Sequence, residues 1–375
     1  MSQRIEPQAS DVPDLTGVLQ TLRDDGTLNE ECDPGLSSAE AVSLYQHMLR
    51  TRHLDQRLVA LQRQGRIGFH VGSLGEEGAI CGSTFGLRRQ DWVFPCYREF
   101  GSALMLGLDF QRFIDNLFGN ANDVVKGRQM PDHYTCREKH FVSVSSPVGT
   151  QITQAVGFAW AAKSRGEDLV ALVYFGDGAT SSSDFHSGMN FAGVFHAPVI
   201  LFCRNNGWAI SVPTERQTAS RTLADKGVAY GVPSIRIDGN DPLACVWATR
   251  RAVERASMGG GATYIEALTY RMGGHSTSDD PDRYRGQADL APWSRRDPIL
   301  RMRRYLTDRN LWSDEDDSRF EQEVDSALRS AIAVSESTPP PPLATMFADV
   351  YQEVPWHLAE QRAELLEGSR APSQH

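Results

Sequence analysis

The sequence predicts an α/β fold, a mostly parallel sheet with helices on both faces, on the strength of three observations. Short, continuously apolar runs at residues 168–175 and 198–203 are typical of strands that are buried on both faces of a sheet. The segment between them, residues 184–192, carries apolar residues at helical spacing. Strand, crossover helix and strand therefore form a right-handed parallel βαβ unit. A further apolar run, residues 263–271, is predicted to extend the same sheet.

Composition limits the classes of function. The chain has 375 residues, of which 40% are apolar and 23% charged, and its formal net charge is −10. These values are ordinary for a globular protein with a sizeable core. The absence of a basic tract argues against a nucleic-acid or anionic-membrane surface, and no stretch approaches the ~20 apolar residues that span a bilayer. The six cysteines contain no C-x-x-C pair, and no apolar leader is present, so we expect a cytoplasmic protein.

Three regions are expected along the chain. Residues 1–36 are polar, with Pro and Gly interspersed, and are predicted to form an N-terminal extension. Residues 37–335 are predicted to form the α/β domain, whose first helix starts at the capping box Ser37–Glu40 and stops near Gly65. Residues 336–375 contain a stiff proline run and are predicted to form a linker and a helical tail.

Polar residues follow the first two predicted strands. Asp177 lies between Gly176 and Gly178 after the first strand, and Asn206 follows the second. Because the carboxyl ends of parallel strands face one crevice, we expect both side chains there. Carboxylate and amide oxygens are ligands that Mg²⁺ prefers, and glycines let a phosphate approach the backbone. Either motif alone is a common turn, but the pair at matched strand ends predicts a metal–phosphate site.

This pair resembles the thiamin-diphosphate signature, and the resemblance extends from about residue 44 to residue 355. Over this range the chain resembles the alpha subunit of the decarboxylase component of 2-oxo acid dehydrogenases, most strongly the branched-chain type. Residues 128–133, RQMPDH, stand where pyruvate-type subunits usually read Gly-Gly-Ser-Met-His, which favours branched-chain substrates. The segments that carry the likeness are LQRQGRIGF, CYREFG, KGRQMPDHY, HFVSVSSPVGTQ, RNNGWAIS, YRMGGHSTSDD and FADVYQEVP.

The resemblance implies a thiamin-diphosphate-binding fold and roles for individual residues. It implies that Asp177, the Asn206 side chain and the main-chain carbonyl of Trp208 bind Mg²⁺. Arg98 and Arg204 would bind the diphosphate, since a guanidinium fork matches phosphate oxygens. The other residues that it places against the cofactor are Tyr97, Ser146, Val148, Gly178, Ala179 and His275.

The resemblance also implies which residues act on the substrate. His275 would lie near the diphosphate and the thiazolium, where an imidazole can donate to an oxyanion or move protons, although a lone histidine in a polar loop is more often simply solvated. Ser146 would face the reacting carbon, and Phe69 and Tyr97 would form the substrate wall. Four residues match a monovalent-cation (K⁺) loop, with an ordinary polar turn as the alternative: Ser145, Pro147, Thr150 and Gln151.

The implied reaction is the oxidative decarboxylation of a branched-chain 2-oxo acid, with reductive acylation of the lipoyl group of a partner acyltransferase. A beta subunit would complete the site in an assembly of two alpha and two beta subunits. The segment 149–162 is predicted to be a close-packing helix for that partner, with an internal core helix as the alternative. Two other functions stay open: the pyruvate or acetoin version of the same component, and a catalytically silent diphosphate-binding regulatory protein.

Overall fold

The computed structural model describes residues 17–368, so residues 1–16 of the predicted extension and residues 369–375 of the predicted tail lie outside it. The described part of the extension packs against the domain of its own chain. Leu19 forms a parallel bridge with Ile237. The Asp241 carboxylate accepts from the backbone N–H groups of Thr21 and Leu22 at 2.6 and 2.7 Å. Residues 17–36 are thereby fixed to one edge of the sheet.

The centre of the molecule is a five-stranded parallel sheet with the strand order β1-β2-β3-β7-β6. A separate two-stranded antiparallel ribbon, β4-β5, follows the end of β3. The strands are β1 (Trp92–Phe94), β2 (Ala171–Gly176), β3 (Val199–Asn205), β4 (Trp208–Ala209), β5 (Val212–Pro213), β6 (Ser234–Asp238) and β7 (Thr263–Leu268).

Helices cover both faces of the sheet. They are α1 (Ser38–Arg63), α2 (Glu77–Phe85), α3 (Phe100–Met105), α4 (Phe110–Phe118), α5 (Thr150–Ser164), α6 (Ser183–Phe195), α7 (Asp225–Val228), α8 (Pro242–Ser257), α9 (Gln287–Ser294), α10 (Pro298–Thr307), α11 (Asp314–Ser337) and α12 (Trp356–Glu367). Within residues 17–368, no helix is both long and apolar enough to cross a membrane.

Alternate residues of the central strands face two separate hydrophobic cores. Leu172 and Phe202 point to the core formed with α1, α2, α8 and α11. Val173 and Leu201 point to the core formed with α5 and α6. A strand buried on both faces must be apolar at successive positions, which is why these strands are recognisable as continuous apolar runs. The predicted fold class is confirmed.

Several predicted boundaries differ from the structure by a few residues. The strand predicted to start at Asp168 starts at Ala171, because the Asp168 carboxylate instead pairs with Arg88 at 2.9 Å. The strand predicted over 263–271 ends at Leu268. The crossover helix, predicted from residue 184, starts at Ser183 and is capped by Ser182, whose hydroxyl accepts from the Phe185 N–H. Asp184 lies in the first turn, where its carboxylate still favours the helix dipole. The predicted capping box of α1, by contrast, is confirmed with both hydrogen bonds.

Candidate active site

A cavity of about 420 Å³ opens beyond the carboxyl ends of β2 and β3. Its position is that expected for a ligand site in a parallel α/β sheet. Every residue predicted from the sequence to touch cofactor, Mg²⁺ or substrate lines this cavity: Phe69, Tyr97, Arg98, Ser146, Val148, Asp177, Gly178, Ala179, Arg204, Asn206, Trp208 and His275. Of the predicted cation loop, Gln151 also lines it, whereas Ser145, Pro147 and Thr150 lie outside its lining.

Asp177 follows the last residue of β2 and is a buried carboxylate, only 1% exposed. Its Oδ2 atom accepts from Gln217 Nε2 at 2.5 Å and from Thr214 Oγ1 at 3.5 Å. Burial raises the pKa of Asp177, and the charge of Glu76 adds to that rise. Among residues 17–368 no Lys or Arg side chain lies within ion-pair distance of this carboxylate, so a bound cation would relieve an unbalanced buried charge.

Asn206 and Trp208 follow the end of β3 and converge on the same place. The Asn206 Oδ1 atom accepts from the Trp208 N–H at 3.3 Å, and the Trp208 carbonyl accepts from Arg271 Nη1 at 3.4 Å. Gly178 is required for this arrangement because a Cβ there would approach the Ala209 Cβ to 2.7 Å. The loops after β2 and β3 can therefore pack closely only with glycine at position 178. This close packing brings the three predicted metal ligands to the same edge of the sheet.

Arg204 lies at the last but one position of β3 and is paired with two buried carboxylates. One guanidinium nitrogen contacts Glu76, and the other contacts Glu99. The Asn206 amide donates to the second oxygen of Glu76 at 2.9 Å. Burial raises the pKa of Glu99, and the charge of Arg204 opposes that rise. Neither glutamate was singled out from the sequence, although both belong to quoted or adjoining segments, GSLGEEG and CYREFG.

Arg98 joins the opposite walls of the cavity. It donates from Nη1 to the Gly72 carbonyl at 2.5 Å, and from Nη2 to the His275 carbonyl at 2.8 Å. Its Nη2 also lies 3.1 Å from the His275 Nδ1 atom. Since a guanidinium can only donate, His275 Nδ1 accepts, and the ring proton of a neutral imidazole is on Nε2.

The electrostatic surroundings keep His275 neutral. Burial lowers the pKa of His275 to about 4, and the charges of Arg98 and Arg271 lower it further against the opposing charge of Asp279. At neutral pH the ring is therefore an uncharged donor at Nε2 that lines the cavity, a state suited to hydrogen bonding an oxyanion.

The loop that carries His275 is tied down at several points. Within the loop, Asp279 Oδ2 accepts hydrogen bonds from the His275 N–H at 2.6 Å and from the Tyr284 hydroxyl at 2.5 Å. Arg271 Nη2 reaches the Tyr284 oxygen at 2.6 Å. At the base of the loop, Arg285 donates to the Gly273 carbonyl at 2.6 Å. The loop thus has its own hydrogen bonds, and it is also attached through Arg98 and through Thr277, whose N–H donates to the His70 carbonyl at 2.9 Å and whose hydroxyl accepts from the His70 N–H at 3.1 Å.

Binding of cofactor and Mg²⁺ is expected to protect the loop 273–285 from proteolysis. Its glycines permit more than one conformation, and a diphosphate would add partners that the loop otherwise lacks. Limited proteolysis should cut this loop readily in apoprotein and slowly in the presence of thiamin diphosphate and Mg²⁺. The Asp177→Ala chain is the control and should gain no protection. Equal cleavage of the wild-type loop in both states would contradict the prediction.

The cavity is also lined by residues that were not singled out from the sequence. Met130 and His133 line it together with Phe69. The His133 Nε2 atom contacts the Ser146 hydroxyl, and its Nδ1 atom lies 3.0 Å from the Pro131 carbonyl. Their segment, KGRQMPDHY, was used only as a family marker. Histidine and methionine at such positions have no local signal that separates a pocket wall from a surface turn.

Three of the four residues of the predicted cation loop are joined by hydrogen bonds between their oxygens. Ser145 Oγ lies 2.6 Å from Thr150 Oγ1, which donates to the Pro147 carbonyl at 3.2 Å. Gln151 donates from Nε2 to the Tyr174 carbonyl at 2.9 Å, while its buried Oε1 atom has no hydrogen-bond partner.

Comparisons with known proteins show which proteins this chain is similar to. Residues 45–344 match the family model described as dehydrogenase E1 component. The mitochondrial 2-oxoisovalerate dehydrogenase subunit alpha of Mus musculus is 41% identical over 349 residues, which cover 93% of this chain and 79% of that protein. The subunit of the same name from Caenorhabditis elegans is 41% identical over 359 residues, or 95% and 83% of the two chains. That of Homo sapiens is 42% identical over 349 residues, or 93% and 78%.

Proposed function

Because this chain belongs to the dehydrogenase E1 component family, which depends on thiamin diphosphate, we propose that it is the alpha subunit of a branched-chain 2-oxo acid dehydrogenase. The reaction is oxidative decarboxylation of the 2-oxo acid with transfer of the acyl group to the lipoyl group of a partner acyltransferase. One observation carries the proposal: a single cavity gathers hard oxygen ligands, two guanidinium groups and a neutral imidazole at the carboxyl edge of the sheet. The names of the similar proteins support the choice of substrate.

The residues present fit Mg²⁺ and the diphosphate of the cofactor. Asp177, the Asn206 Oδ1 atom and the Trp208 carbonyl would supply three oxygen ligands, and among residues 17–368 no Lys or Arg side chain forms an ion pair with the buried Asp177 carboxylate. Two guanidinium groups, Arg98 and Arg204, lie near two carboxyl groups, Glu76 and Glu99, so a divalent cation favours the approach of the anionic diphosphate. Thiamin diphosphate supplies the nucleophilic carbon and the electron sink of the reaction.

The protein's own groups would bind and orient the substrate. His275 holds its proton at Nε2 and can donate it to the oxygen of the 2-oxo group, while Arg98 fixes the ring through Nδ1. The Ser146 hydroxyl is oriented by His133. Phe69, Tyr97 and Met130 give the substrate end apolar walls that exclude water and suit a branched aliphatic side chain.

We propose that the cluster of Ser145, Pro147, Thr150 and Gln151 holds a monovalent cation such as K⁺. The support is the Gln151 Oε1 atom, which is buried without a hydrogen-bond partner, together with the Ser145 and Thr150 hydroxyls and the Pro147 carbonyl, which hydrogen bonds join. A buried amide oxygen without a partner is costly, and a cation would satisfy it.

The beta subunit is expected to dock on the face formed by α5 and α6, in an assembly of two alpha and two beta subunits. Both helices begin at the cavity, since Gly149 precedes α5 and Asp177–Ser181 precedes α6. Exposed apolar residues continue from there, including Phe191 at 51% and Val194 at 64% exposure. The Trp160 and Phe195 rings contact each other on this face at a tilt of 34°, with centroids 4.8 Å apart. A face of this kind is typical of permanent interfaces.

The test of the function is the bleaching of a dye acceptor by the chain co-purified with its beta subunit. We expect turnover that requires thiamin diphosphate and is faster with 2-oxoisovalerate than with pyruvate. A preference for pyruvate or acetoin would select the alternative form of the component, and no turnover with any of them would favour a silent binding protein. The six buried cysteines are unpaired, which supports a reducing compartment, and we propose the cytoplasm.

A further inference from the structure

Three ionisable side chains form a fully buried cluster beside the substrate end of the cavity. His70 lies between two carboxylates: its Nε2 atom is 2.8 Å from Asp55 Oδ1, and its Nδ1 atom is 3.0 Å from Asp132 Oδ2. The exposed fractions are 0% for His70, 3% for Asp55 and 0% for Asp132. None of the three lines the cavity, and the proposed reaction uses none of them.

The geometry makes His70 an imidazolium. Each ring nitrogen faces a carboxylate oxygen, and an ionised carboxylate can only accept, so both nitrogens must carry protons. The carboxylates are themselves held by backbone donors. Asp132 Oδ2 accepts from the Val71 N–H at 2.7 Å, and Asp55 Oδ2 accepts from the Ser73 N–H at 2.9 Å. Burial acts to lower the pKa of His70, but the charges and hydrogen bonds of Asp132 and Asp55 outweigh it and raise the pKa to about 10.

The cluster joins three separate segments. Asp55 belongs to α1, His70 belongs to the loop between α1 and α2, and Asp132 belongs to the turn before His133. The loop contributes Phe69 and Val71 to the lining of the cavity, and the turn contributes Met130 and His133. The loop passes so close to α1 that a Cβ at Gly72 would lie 2.6 Å from Asp55 Oδ1. His70 therefore joins the two segments that supply these lining residues.

We propose that His70 is a positioning residue that sets the distance between the two walls of the substrate end and so selects the branched side chain of the substrate. This inference rests on the proposed function, because it concerns the same cavity. His70 is not proposed to contact the substrate. Its imidazole would instead fix the positions of the neighbouring lining residues Phe69 and Val71 and, through Asp132, that of His133.

The protonation state is tested without activity. Nitrogen-15 NMR of histidine-labelled protein, with the His70→Gln chain to assign the signal, should show one histidine with both ring nitrogens protonated at pH 8. The groups that face this ring are Asp55 from α1 and Asp132 from the turn, beside the uncharged ring of Phe100 from α3, 5.7 Å away. A His70 signal typical of a neutral ring at pH 8 would overturn the proposal.

The pH dependence of stability gives a second readout that does not depend on turnover. A histidine whose pKa is raised on folding stabilises the native state fully below its unfolded pKa of about 6.5, and this contribution is lost as the pH rises through the folded value. The urea midpoint of the wild-type protein should therefore fall relative to that of His70→Gln as the pH rises from 7 to 10. Parallel curves for the two proteins would contradict the imidazolium bridge.

The role in selectivity is tested by kinetics on the assembly with its beta subunit. His70→Gln removes the positive charge of the ring, and Asp132→Asn removes the negative charge that holds the ring to the turn, while its amide oxygen can still accept from the Val71 N–H. For both variants we expect kcat/KM for 2-oxoisovalerate to fall by about tenfold or more relative to pyruvate, since small misplacements of bound substrate are costly. The affinity for thiamin diphosphate should change by less than about threefold, because Asp177, Asn206 and Trp208 are untouched.

The control is His140→Gln, at a histidine that stacks on Trp92 and does not line the cavity. It should leave both substrates unaffected. An unchanged substrate preference in His70→Gln and Asp132→Asn would overturn the positioning role. If the wild-type assembly turns over no 2-oxo acid, the proposed function fails. The NMR and stability measurements would still show whether a protonated His70 bridges Asp55 and Asp132.

Discussion

Replacement of Asp177 by alanine is expected to abolish the Mg²⁺-dependent binding of thiamin diphosphate while the fold stays intact. The residue lies just beyond β2, and among residues 17–368 its carboxylate accepts from the side chains of Thr214 and Gln217, so few structural contacts are lost. As a metal ligand, however, it would be the one negatively charged donor among the three. Loss of a partner outside the direct ligands typically costs 10–100-fold in metal affinity, so the loss of a ligand should cost more than about 100-fold.

Titration calorimetry of the chain with its beta subunit, with and without Mg²⁺, measures this effect. The matched control is Asp168→Ala, three residues before the start of the same strand, where the carboxylate is 68% exposed and pairs with Arg88. It should bind cofactor like the wild type. The metal-site assignment fails if Asp177→Ala binds the cofactor with undiminished affinity in Mg²⁺.

The parts of the fold that could be predicted from the sequence are those set by local pattern. β2, β3 and β7 are buried on both faces and appear as continuous apolar runs, so they were predicted, with errors of a few residues at their ends. β1 has three residues, and β6 reads SIRID with exposed and half-buried positions. Such short or edge strands depend on pairing with distant partners, and local sequence does not fix that pairing.

The part of the site that is predicted to bind the metal could be found from the sequence, because the carboxyl ends of two neighbouring parallel strands in one βαβ unit lie at the same edge of the sheet. The carboxylates around Arg204 could not be predicted in the same way. Glu76 and Arg204 are separated by 128 positions and meet only through the packing of α2 against the sheet. Similarly, the His70 cluster joins positions 55, 70 and 132, and no spacing rule connects them.

The paired arginines change how the diphosphate site should be understood. The resemblance implies that Arg98 and Arg204 bind the diphosphate, and the structure adds that Arg204 contacts Glu76 and Glu99 and that Arg98 Nε lies 3.9 Å from Glu76. A guanidinium held by carboxylates keeps a fixed orientation and loses little freedom when an anion binds. The glutamates also reduce the positive charge, which makes the predicted cation at Asp177 more important for diphosphate binding.

The chain without its partner is expected to be inactive. Activation of the cofactor needs a carboxylate against its aminopyrimidine ring, and the resemblance assigns that group to the beta subunit. The structure is consistent with this, because Asp177 at the metal end is the one carboxylate that lines the cavity among residues 17–368. Val148, at the mouth of the cavity, is 52% exposed. The cavity therefore ends at the surface where α5 begins, and a second chain there could add the missing group.

The purified chain with thiamin diphosphate and Mg²⁺ should not decarboxylate 2-oxoisovalerate, and addition of the beta subunit should restore turnover. Gly157→Leu on α5 sharpens the test, because the space beside Gly157 is open in this chain and a leucine there would obstruct only a docked partner. We expect this variant to fold normally but to stay inactive with the beta subunit. Glu323→Leu, on an exposed position of α11, is the control and should assemble and turn over normally. Full activity of the isolated wild-type chain would show that its own residues complete the site, since no other source of the carboxylate would then be present.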